Sequence, residues 1–141
     1  MTEKKPMSGS VFFDTNIIIY AYSEDEPTKQ TISNTLIGEF SDAIISTQVI
    51  NELSNTLFRK FKLSAQEIRK SILELSSYFS IVSFSTETQL YAIEIKEKYQ
   101  LQYYDALIIA TALETNCDIL FSEDMQHNQT IKSLQIINPY K

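Results

Sequence analysis

Residues 105–121 read DALIIATALETNCDILF and place an apolar helix pattern immediately before a strand pattern. Residues 105–113 are apolar almost all round, and a helix with that pattern is typically buried on every side. Residues 118–121 end in the apolar run ILF, which predicts a short buried strand. A buried helix followed by a buried strand is typical of a parallel sheet that helices cover on both faces.

The same alternation of strands and helices extends along the rest of the chain. Four further apolar runs predict strands, at residues 11–13, 43–46, 79–82 and 135–137. Helices are predicted between them, at residues 15–23, 28–40, after Thr47, after Ser64 and over residues 86–99. The sequence therefore predicts an α/β fold in which a mainly parallel central β-sheet is flanked by α-helices in three α/β/α layers.

Three helix starts carry residues that are suited to capping. Thr47 is a suitable N-cap for the helix that follows the second strand. Residues 64–67 (SAQE) and 86–89 (TETQ) both fit the capping box, in which two residues of the first turn bond each other's backbone. These signals fix where the predicted helices begin.

The composition fits one globular domain without a nucleotide-binding loop. The 141 residues carry 12 basic and 18 acidic side chains, a net charge of −6. Two glycines cannot build a glycine-rich phosphate loop, and a single cysteine and a single histidine exclude cysteine-rich zinc sites and histidine clusters. We expect a domain over residues 11–141 behind a mobile tail over residues 1–10. That tail lacks the apolar segment of a signal peptide, and no apolar run approaches the ~20 residues of a membrane span, so we expect a cytoplasmic protein without a membrane partner.

Four acidic residues are predicted beyond the carboxyl ends of strands, where ligands bind in an open parallel sheet. Asp14 follows the first strand, and Glu52 lies on the helix after the second. Asp105 begins the buried helix, and Asp124 follows the strand after that helix. Clustered carboxylates need a counter-charge, which a protein cation, a shared proton or a metal ion can supply.

The residue types favour a metal ion as this counter-charge. Residues 105–124 include five acidic side chains and no lysine or arginine. Carboxylate oxygens suit a hard divalent cation such as Mg²⁺ or Mn²⁺. The alternative for each single acid is a helix cap or a solvated turn, and Asp105 in particular fits an N-cap.

Four ordered segments also carry a family resemblance. They are FDTNII at residues 13–18, VINEL at 49–53, YDALIIATAL at 104–113 and LFSEDM at 120–125. Together they resemble the motifs of PIN-domain ribonucleases, and within that family those of the VapC-type toxins of type II toxin–antitoxin systems. The resemblance extends over residues 11–137 and is specific because the D-T-N and D-A-L-I-x-A-x-A-L motifs occur together.

The resemblance implies a single PIN-like nuclease domain that cleaves RNA by metal-assisted hydrolysis. It assigns the catalytic and Mg²⁺- or Mn²⁺-binding roles to Asp14, Glu52, Asp105 and Asp124, with Thr15, Asn16 and Ser122 in support. The fourth position is open between Asp124, Glu123 and Asp118, and the order Ser122-x-Asp124 favours Asp124. The resemblance leaves open whether one or two metal ions bind.

A protein of net charge −6 needs a concentrated basic surface to bind RNA. The segment over residues 59–70 holds five basic residues against one acid: Arg59, Lys60, Lys62, Arg69 and Lys70. We expect these five to contact RNA. The alternative is a helix C-terminus whose cations favour its dipole, followed by an ordinary solvated face.

The function predicted from these features is a metal-dependent endoribonuclease that hydrolyses RNA phosphodiester bonds. The resemblance further implies that it is the toxin of a type II toxin–antitoxin system, with a cognate antitoxin as partner and a possible homodimer. One alternative is a catalytically inactive PIN-like module that binds RNA or protein. Another is a Mg-dependent phosphatase, although the D-x-D motif of that class reads Asp14-Thr15-Asn16 here.

Overall fold

The computed structural model describes residues 10–141 of the chain. Of the tail expected over residues 1–10, Ser10 is described, and its carbonyl oxygen accepts a hydrogen bond from the backbone N–H of Asp118. Residues 1–9 lie outside the described part, so the mobility expected there stays a prediction. Within residues 10–141, no helix has both the length and the apolarity that crossing a bilayer requires.

Strands and helices alternate along the described chain much as the sequence predicts. The elements are β1 (Val11–Phe13), α1 (Thr15–Ala21), α2 (Pro27–Glu39), β2 (Ile44–Ser46), α3 (Thr47–Arg59), α4 (Ala65–Tyr78), β3 (Ser80–Val82), α5 (Thr86–Tyr99), α6 (Tyr103–Glu114), β4 (Ile119–Phe121), β5 (Thr130–Ile131) and β6 (Leu134–Ile137). Most predicted bounds differ from these by one or two residues. The prediction missed β5, which has two residues and pairs with β6.

The strands form one sheet in the order β3-β2-β1-β4-β6-β5. Neighbouring strands are parallel except for the antiparallel pair of β5 and β6. Helices pack on both faces, so the predicted three-layer α/β/α architecture with a mainly parallel sheet is confirmed. Because the chain winds outward from β1 in one direction and from β4 in the other, the strand order reverses between these two central strands.

The core lies around β1, β4 and α6. Phe12, Phe13 and Leu120 of the central strands are fully buried. In α6, residues 106–112 are all buried, which confirms the helix expected to be covered on every side. Truncating one such leucine or phenylalanine to alanine costs about 2–5 kcal/mol in typical cores. The carboxyl ends of β1 and β4 are thus held by a close-packed core.

Two of the three predicted caps differ from the prediction by one residue. Ser46, not Thr47, is the N-cap of α3, because β2 keeps Ser46 in an extended conformation and its hydroxyl accepts a hydrogen bond from Val49 N–H. Ser85, not Thr86, caps α5, because Ser85 is extended and its hydroxyl accepts a hydrogen bond from Thr88 N–H. The capping box therefore pairs Ser85 with Thr88 in place of residues 86–89. The capping box over residues 64–67 is confirmed.

Candidate active site

The ends of β1 and β4 meet at the point where the strand order reverses. Phe13 is in register with Phe121, and the backbone N–H of Asp14 donates to the Phe121 carbonyl oxygen at 3.0 Å. The residues that follow the two strands, Asp14 and Ser122, therefore lie side by side. A crevice at such a switch point is where open α/β sheets bind their ligands.

Asp14 is both the N-cap of α1 and a buried carboxylate. Its Oδ1 accepts a hydrogen bond from Thr15 N–H at 2.7 Å, and its Oδ2 accepts one from the Ser122 hydroxyl at 2.8 Å. Burial raises the pKa of Asp14 to about 7, against the lowering effect of these hydrogen bonds; the nearby Asp124 and Asp105 raise it further. A carboxylate this deeply buried is costly to ionise without a counter-charge.

Asp124 is held next to Asp14 by two polar side chains. Its backbone N–H donates to Ser122 Oγ at 3.2 Å, and its Oδ2 accepts a hydrogen bond from Asn16 Nδ2 at 2.9 Å. Asp124 itself lies on the exposed rim. Partial burial, then Glu123 and Glu52, raise its pKa. Ser122 thus bonds to both acids, and Asn16 orients the second.

Glu52 is presented by α3, which begins directly after β2. Its Oε1 accepts a hydrogen bond from the Thr15 hydroxyl at 2.5 Å, and its Oε2 accepts a long one from Gln48 Nε2 at 3.4 Å. The same Gln48 nitrogen donates to the Tyr104 carbonyl oxygen at 3.2 Å. Gln48 therefore links α3 to α6. The sequence prediction missed Gln48, although its position one helical turn before Glu52 was an available signal.

Asp105 is presented by the first turn of α6 and does not cap that helix. Gln102 is the N-cap and the helix begins at Tyr103, so the alternative that Asp105 is an N-cap is wrong. The helix starts earlier than its apolar pattern because two tyrosines form its first turn. Burial, then Asp124 and Glu52, raise the pKa of Asp105. The acids are therefore within electrostatic reach of one another.

One cavity of about 340 Å³ joins the four carboxylates that the sequence singled out. Asp14, Glu52, Asp105 and Asp124 share its lining with Thr15, Asn16, Ile19, Gln48, Thr56, Gln102, Tyr104 and Ile108. None of these lining residues is basic. The structure therefore brings the four acids to one cavity, and their catalytic role stays a prediction.

The cavity fits a hard divalent cation by the chemistry of its donors. Carboxylate, amide and hydroxyl oxygens line it, and no basic side chain among those lining residues balances the acids. In the conformation described for residues 10–141, however, no three acidic, histidine or cysteine side chains are arranged as ligands of one metal ion. Hydrogen bonds from Thr15 to Glu52 and from Asn16 to Asp124 hold two of the acids in their present positions. Metal binding would require these carboxylates to turn towards one another.

The three candidates for the fourth acidic position lie in different surroundings. Asp124 lines the cavity. Glu123 forms an ion pair with Lys29 and accepts a hydrogen bond from the Tyr20 hydroxyl at 2.6 Å. Asp118 precedes β4 and so lies at the amino end of the sheet, whereas the cavity lies at the carboxyl end. Of these three, the geometry favours Asp124.

Two of the five basic residues lie near the cavity. Arg59 and Lys60, at the end of α3, border a surface depression together with Asn55 and Thr56. Thr56 also lines the acidic cavity, one helical turn after Glu52. A continuous face of α3 therefore leads from the carboxylates to these two basic residues.

The other three basic residues lie elsewhere on the surface. Arg69 borders an apolar groove of about 310 Å³ between α3 and α4, which Phe58, Ile68, Ile72 and Leu73 also line. Lys62 lies in the loop between the two helices, and Lys70 is exposed on α4. The sequence prediction grouped the five residues because they are close in sequence. In the structure, the turn between α3 and α4 separates them. RNA binding by any of the five stays a prediction.

The protein combines an open α/β sheet with a cavity of acidic residues at its switch point. The chain belongs to the PIN domain family, whose profile matches residues 11–132. PIN and VapC-type proteins form a family of nucleases. The family predicted from the sequence motifs is thereby confirmed.

Solved structures of the same fold include three toxin–antitoxin proteins. A toxin–antitoxin complex from Klebsiella pneumoniae contains a chain that is 22% identical, with a TM-score of 0.74 over 94% of this chain and 99% of that one. VapC20 of Mycobacterium tuberculosis, a toxin that cleaves the sarcin–ricin loop, is 16% identical, with a TM-score of 0.67 over 82% of this chain and 92% of that one. VapBC2 from Rickettsia felis, bound to a DNA fragment of its promoter, contains a chain that is 22% identical, with a TM-score of 0.62 over 89% of this chain and 96% of that one.

At these identities the structural similarity establishes a shared fold. No curated protein sequence matches the chain significantly. The substrate and the partners of this protein are therefore proposals, which follow below.

Proposed function

We propose that this protein is a metal-dependent endoribonuclease and the toxin of a type II toxin–antitoxin system. The observation that carries the proposal is the single cavity at the β1–β4 switch point, in which four carboxylates meet without a basic side chain among its lining residues. Such a site has an unbalanced negative charge, and a divalent cation would balance it. PIN family membership supports nuclease chemistry.

Two of the four acids are held by polar side chains that support this role. Asp14, Glu52, Asp105 and Asp124 would hold the ion, and Mg²⁺ or Mn²⁺ would lower the pKa of a water molecule and neutralise phosphate charge. Ser122 fixes Asp14 by a hydrogen bond, and Asn16 fixes Asp124. In the metal-free protein these hydrogen bonds restrain carboxylates that repel one another, and the bond from Asn16 to Asp124 would rearrange when the ion binds.

The proposed reaction is hydrolysis of an RNA phosphodiester. Water attacks phosphorus, the bond from phosphorus to the leaving ribose oxygen breaks, and the proton of the water passes to a carboxylate while the leaving oxygen is protonated from solvent. We assign the proton-accepting role to Glu52, which is exposed to the cavity mouth and oriented by Thr15 and Gln48.

The RNA path proposed for this site follows α3. Arg59 and Lys60 lie on the face of α3 that continues from Glu52 through Thr56. Lysine and arginine contacts to phosphate supply most of the affinity of proteins for nucleic acid, so these two side chains would offset the repulsion between RNA and a chain of net charge −6. Arg69 lies away from this face and is a weaker candidate.

The partner proposals rest on the fold neighbours. Chains of the same fold occur in toxin–antitoxin complexes from Klebsiella pneumoniae and Rickettsia felis. We therefore propose a cognate antitoxin as the protein partner of this chain. The homodimer that the sequence resemblance allows stays a prediction. We also propose the cytoplasm as the site of action, because the proposed RNA substrate occurs there.

The test is cleavage of an RNA pool by the purified protein with Mg²⁺ or Mn²⁺, followed by mapping of the cut ends. Asp14→Asn should lose cleavage and EDTA should abolish it. Asp42→Asn is the matched control, because Asp42 is an exposed acid that precedes β2 and so lies at the amino ends of the strands, away from the cavity. RNA binding without cleavage would favour the inactive binding module, and release of phosphate from a monoester without RNA cleavage would favour the phosphatase.

A further inference from the structure

A polar cluster outside the cavity holds the residue between Ser122 and Asp124. Lys29 of α2 pairs with Glu123 Oε2 at 2.5 Å, and the Tyr20 hydroxyl donates to Glu123 Oε1 at 2.6 Å. Lys29 Nζ also lies over the ring of Tyr20, 4.7 Å from its centroid, and over that of Tyr140, at 5.5 Å. Three side chains from different parts of the chain thus cluster around the Glu123 carboxylate.

The helix α1 holds both neighbouring acids of the loop after β4. Asn16 donates to Asp124 Oδ2, and Tyr20, one turn later on the same helix, donates to Glu123 Oε1. Asn16 thereby holds Asp124 at the cavity, and Tyr20 holds Glu123 at the cluster with Lys29. The orientation of Asp124 is therefore tied to where the Glu123 side chain is held.

Lys29 follows three acidic residues, at positions 24–26, yet the carboxylate that pairs with it lies outside its own helix. Pro27 occupies the first position of α2, so Lys29 lies in the first turn, where the helix dipole disfavours a cation. That turn contains no acidic residue. Glu123 offsets this cost from the loop after β4, 94 residues away in sequence. The ion pair therefore joins α2 to the loop that carries Asp124.

We propose that Lys29 is a positioning residue for the metal site: by pairing with Glu123, it keeps that carboxylate out of the cavity and fixes the backbone that presents Asp124. The proposal rests on the proposed nuclease function. Without Lys29, Glu123 would be an unpaired anion directly beside Asp124, and repulsion from the acidic cavity would displace the loop. Only the hydrogen bond from Tyr20 would then restrain Glu123 from competing with Asp124 for the cation.

The experiment compares four variants with the wild-type protein: Lys29→Met, Lys29→Arg, Glu123→Gln, and the double variant Lys29→Met/Glu123→Gln. Lys98→Met is the matched control, because Lys98 also lies over a tyrosine ring, at 5.5 Å from the centroid of Tyr99, but near the end of α5. Mn²⁺ affinity is measured by calorimetry without RNA, and kcat and KM are measured with RNA.

Lys29→Met should weaken Mn²⁺ affinity by about tenfold and lower kcat more than it raises KM, since removing a residue that orients a ligand typically has effects of this size. Lys29→Arg should retain most of the affinity. In the Glu123→Gln background, Lys29→Met should change the affinity less than about twofold, since the two residues act as a pair. Equal decreases in both backgrounds, or no decrease in either, would overturn the proposal.

Amide hydrogen exchange tests the positioning without any metal. The Asp124 N–H, which donates to Ser122 Oγ, should exchange faster in Lys29→Met, whereas the Asp14 N–H, which donates to the Phe121 carbonyl oxygen, should be unchanged. Equal acceleration at both amides would indicate a merely structural role and would contradict the proposal. A wild-type protein that neither binds Mn²⁺ nor cleaves RNA would refute the proposed function, while the exchange result would still decide the role of Lys29.

Discussion

The Ser122 hydroxyl donates a hydrogen bond to Asp14 Oδ2 at 2.8 Å and so joins the ends of β4 and β1. Ser122 is fully buried and Asp14 is 6% exposed, so this bond lies at the floor of the acidic cavity. The cavity floor therefore lies just beyond the ends of the two central strands. The rest of the lining comes mainly from α1, α3, α6 and the loop after β4. This arrangement makes Asp14 the acid whose charge depends most on its surroundings.

Asp14→Asn should abolish RNA cleavage, by at least about a hundredfold, without unfolding the protein. Removal of a ligand that the proposed ion requires should exceed the 10–100-fold effects seen for residues that only orient ligands. Asparagine is as good an N-cap as aspartate, so α1 keeps its cap, and removing a buried charge should leave the apo stability unchanged or raised. Initial rates of cleavage test the loss of activity, and urea unfolding midpoints test the retained stability. Cleavage at the wild-type rate would remove Asp14 from the proposed site.

The metal-free protein should become less stable as the pH rises. Burial raises the pKa of Asp14 from 3.8 to about 7, so between these values the folded state binds more protons than the unfolded state. The stability contributed by this group is fully present below pH 3.8 and is lost as the pH rises through about 7. Melting temperatures at about pH 5 and about pH 8 in EDTA measure the effect, and Asp14→Asn should reduce the difference. An identical pH dependence in the variant would contradict the assignment.

Mn²⁺ should raise the melting temperature of the wild-type protein at about pH 8, where the carboxylates are ionised. An ion that only the folded state binds adds about 2.7 kcal/mol of stability at a hundredfold excess over its Kd. The shift should be smaller at about pH 5, where protons compete for the carboxylates, and smaller in Asp14→Asn. Equal shifts in the wild type and in Asp14→Asn would indicate non-specific binding, and Asp42→Asn controls for the removal of any one acid.

Patterns along the sequence predicted those parts of the site that depend on local order. The apolar run over residues 106–112 identified α6, and the rule that parallel strands end at one edge placed Asp14 near Asp124. Details that depend on a single hydrogen bond were missed, such as the choice between Ser46 and Thr47 as a cap. Either side chain is chemically able to cap a helix, and only the path of β2 decides between them.

Pairings between distant segments could not be predicted from the sequence. The ion pair of Lys29 with Glu123 joins α2 to the loop after β4. The residues next to either side chain in the sequence do not indicate that the two form a pair. The expected start of α6 was late because Tyr103 and Tyr104 do not extend its apolar pattern, although they form the first turn of the helix. The ion pair and the start of α6 both depend on side chains whose surroundings are set by the whole fold and not by adjacent residues.

The two groups of basic residues should differ in their effect on RNA binding. Arg59→Ala/Lys60→Ala should weaken binding and flatten its salt dependence, because both side chains lie on the face of α3 that leads to Glu52. The log–log slope should fall by up to about 0.7 for each phosphate that the variant no longer neutralises.

Arg69→Ala/Lys70→Ala is the matched control for this double variant, since it removes the same net charge from exposed positions on α4. Binding of single-stranded RNA is measured against salt concentration with catalysis blocked by Asp14→Asn. If both double variants reduce the slope equally, the RNA follows the whole basic segment over residues 59–70. If neither double variant reduces the slope, the cations of α3 only interact with the helix dipole at its C-terminus. In that case Arg59→Ala/Lys60→Ala should lower the stability by about 0.3–1 kcal/mol per charge at most. RNA affinity should then be unchanged.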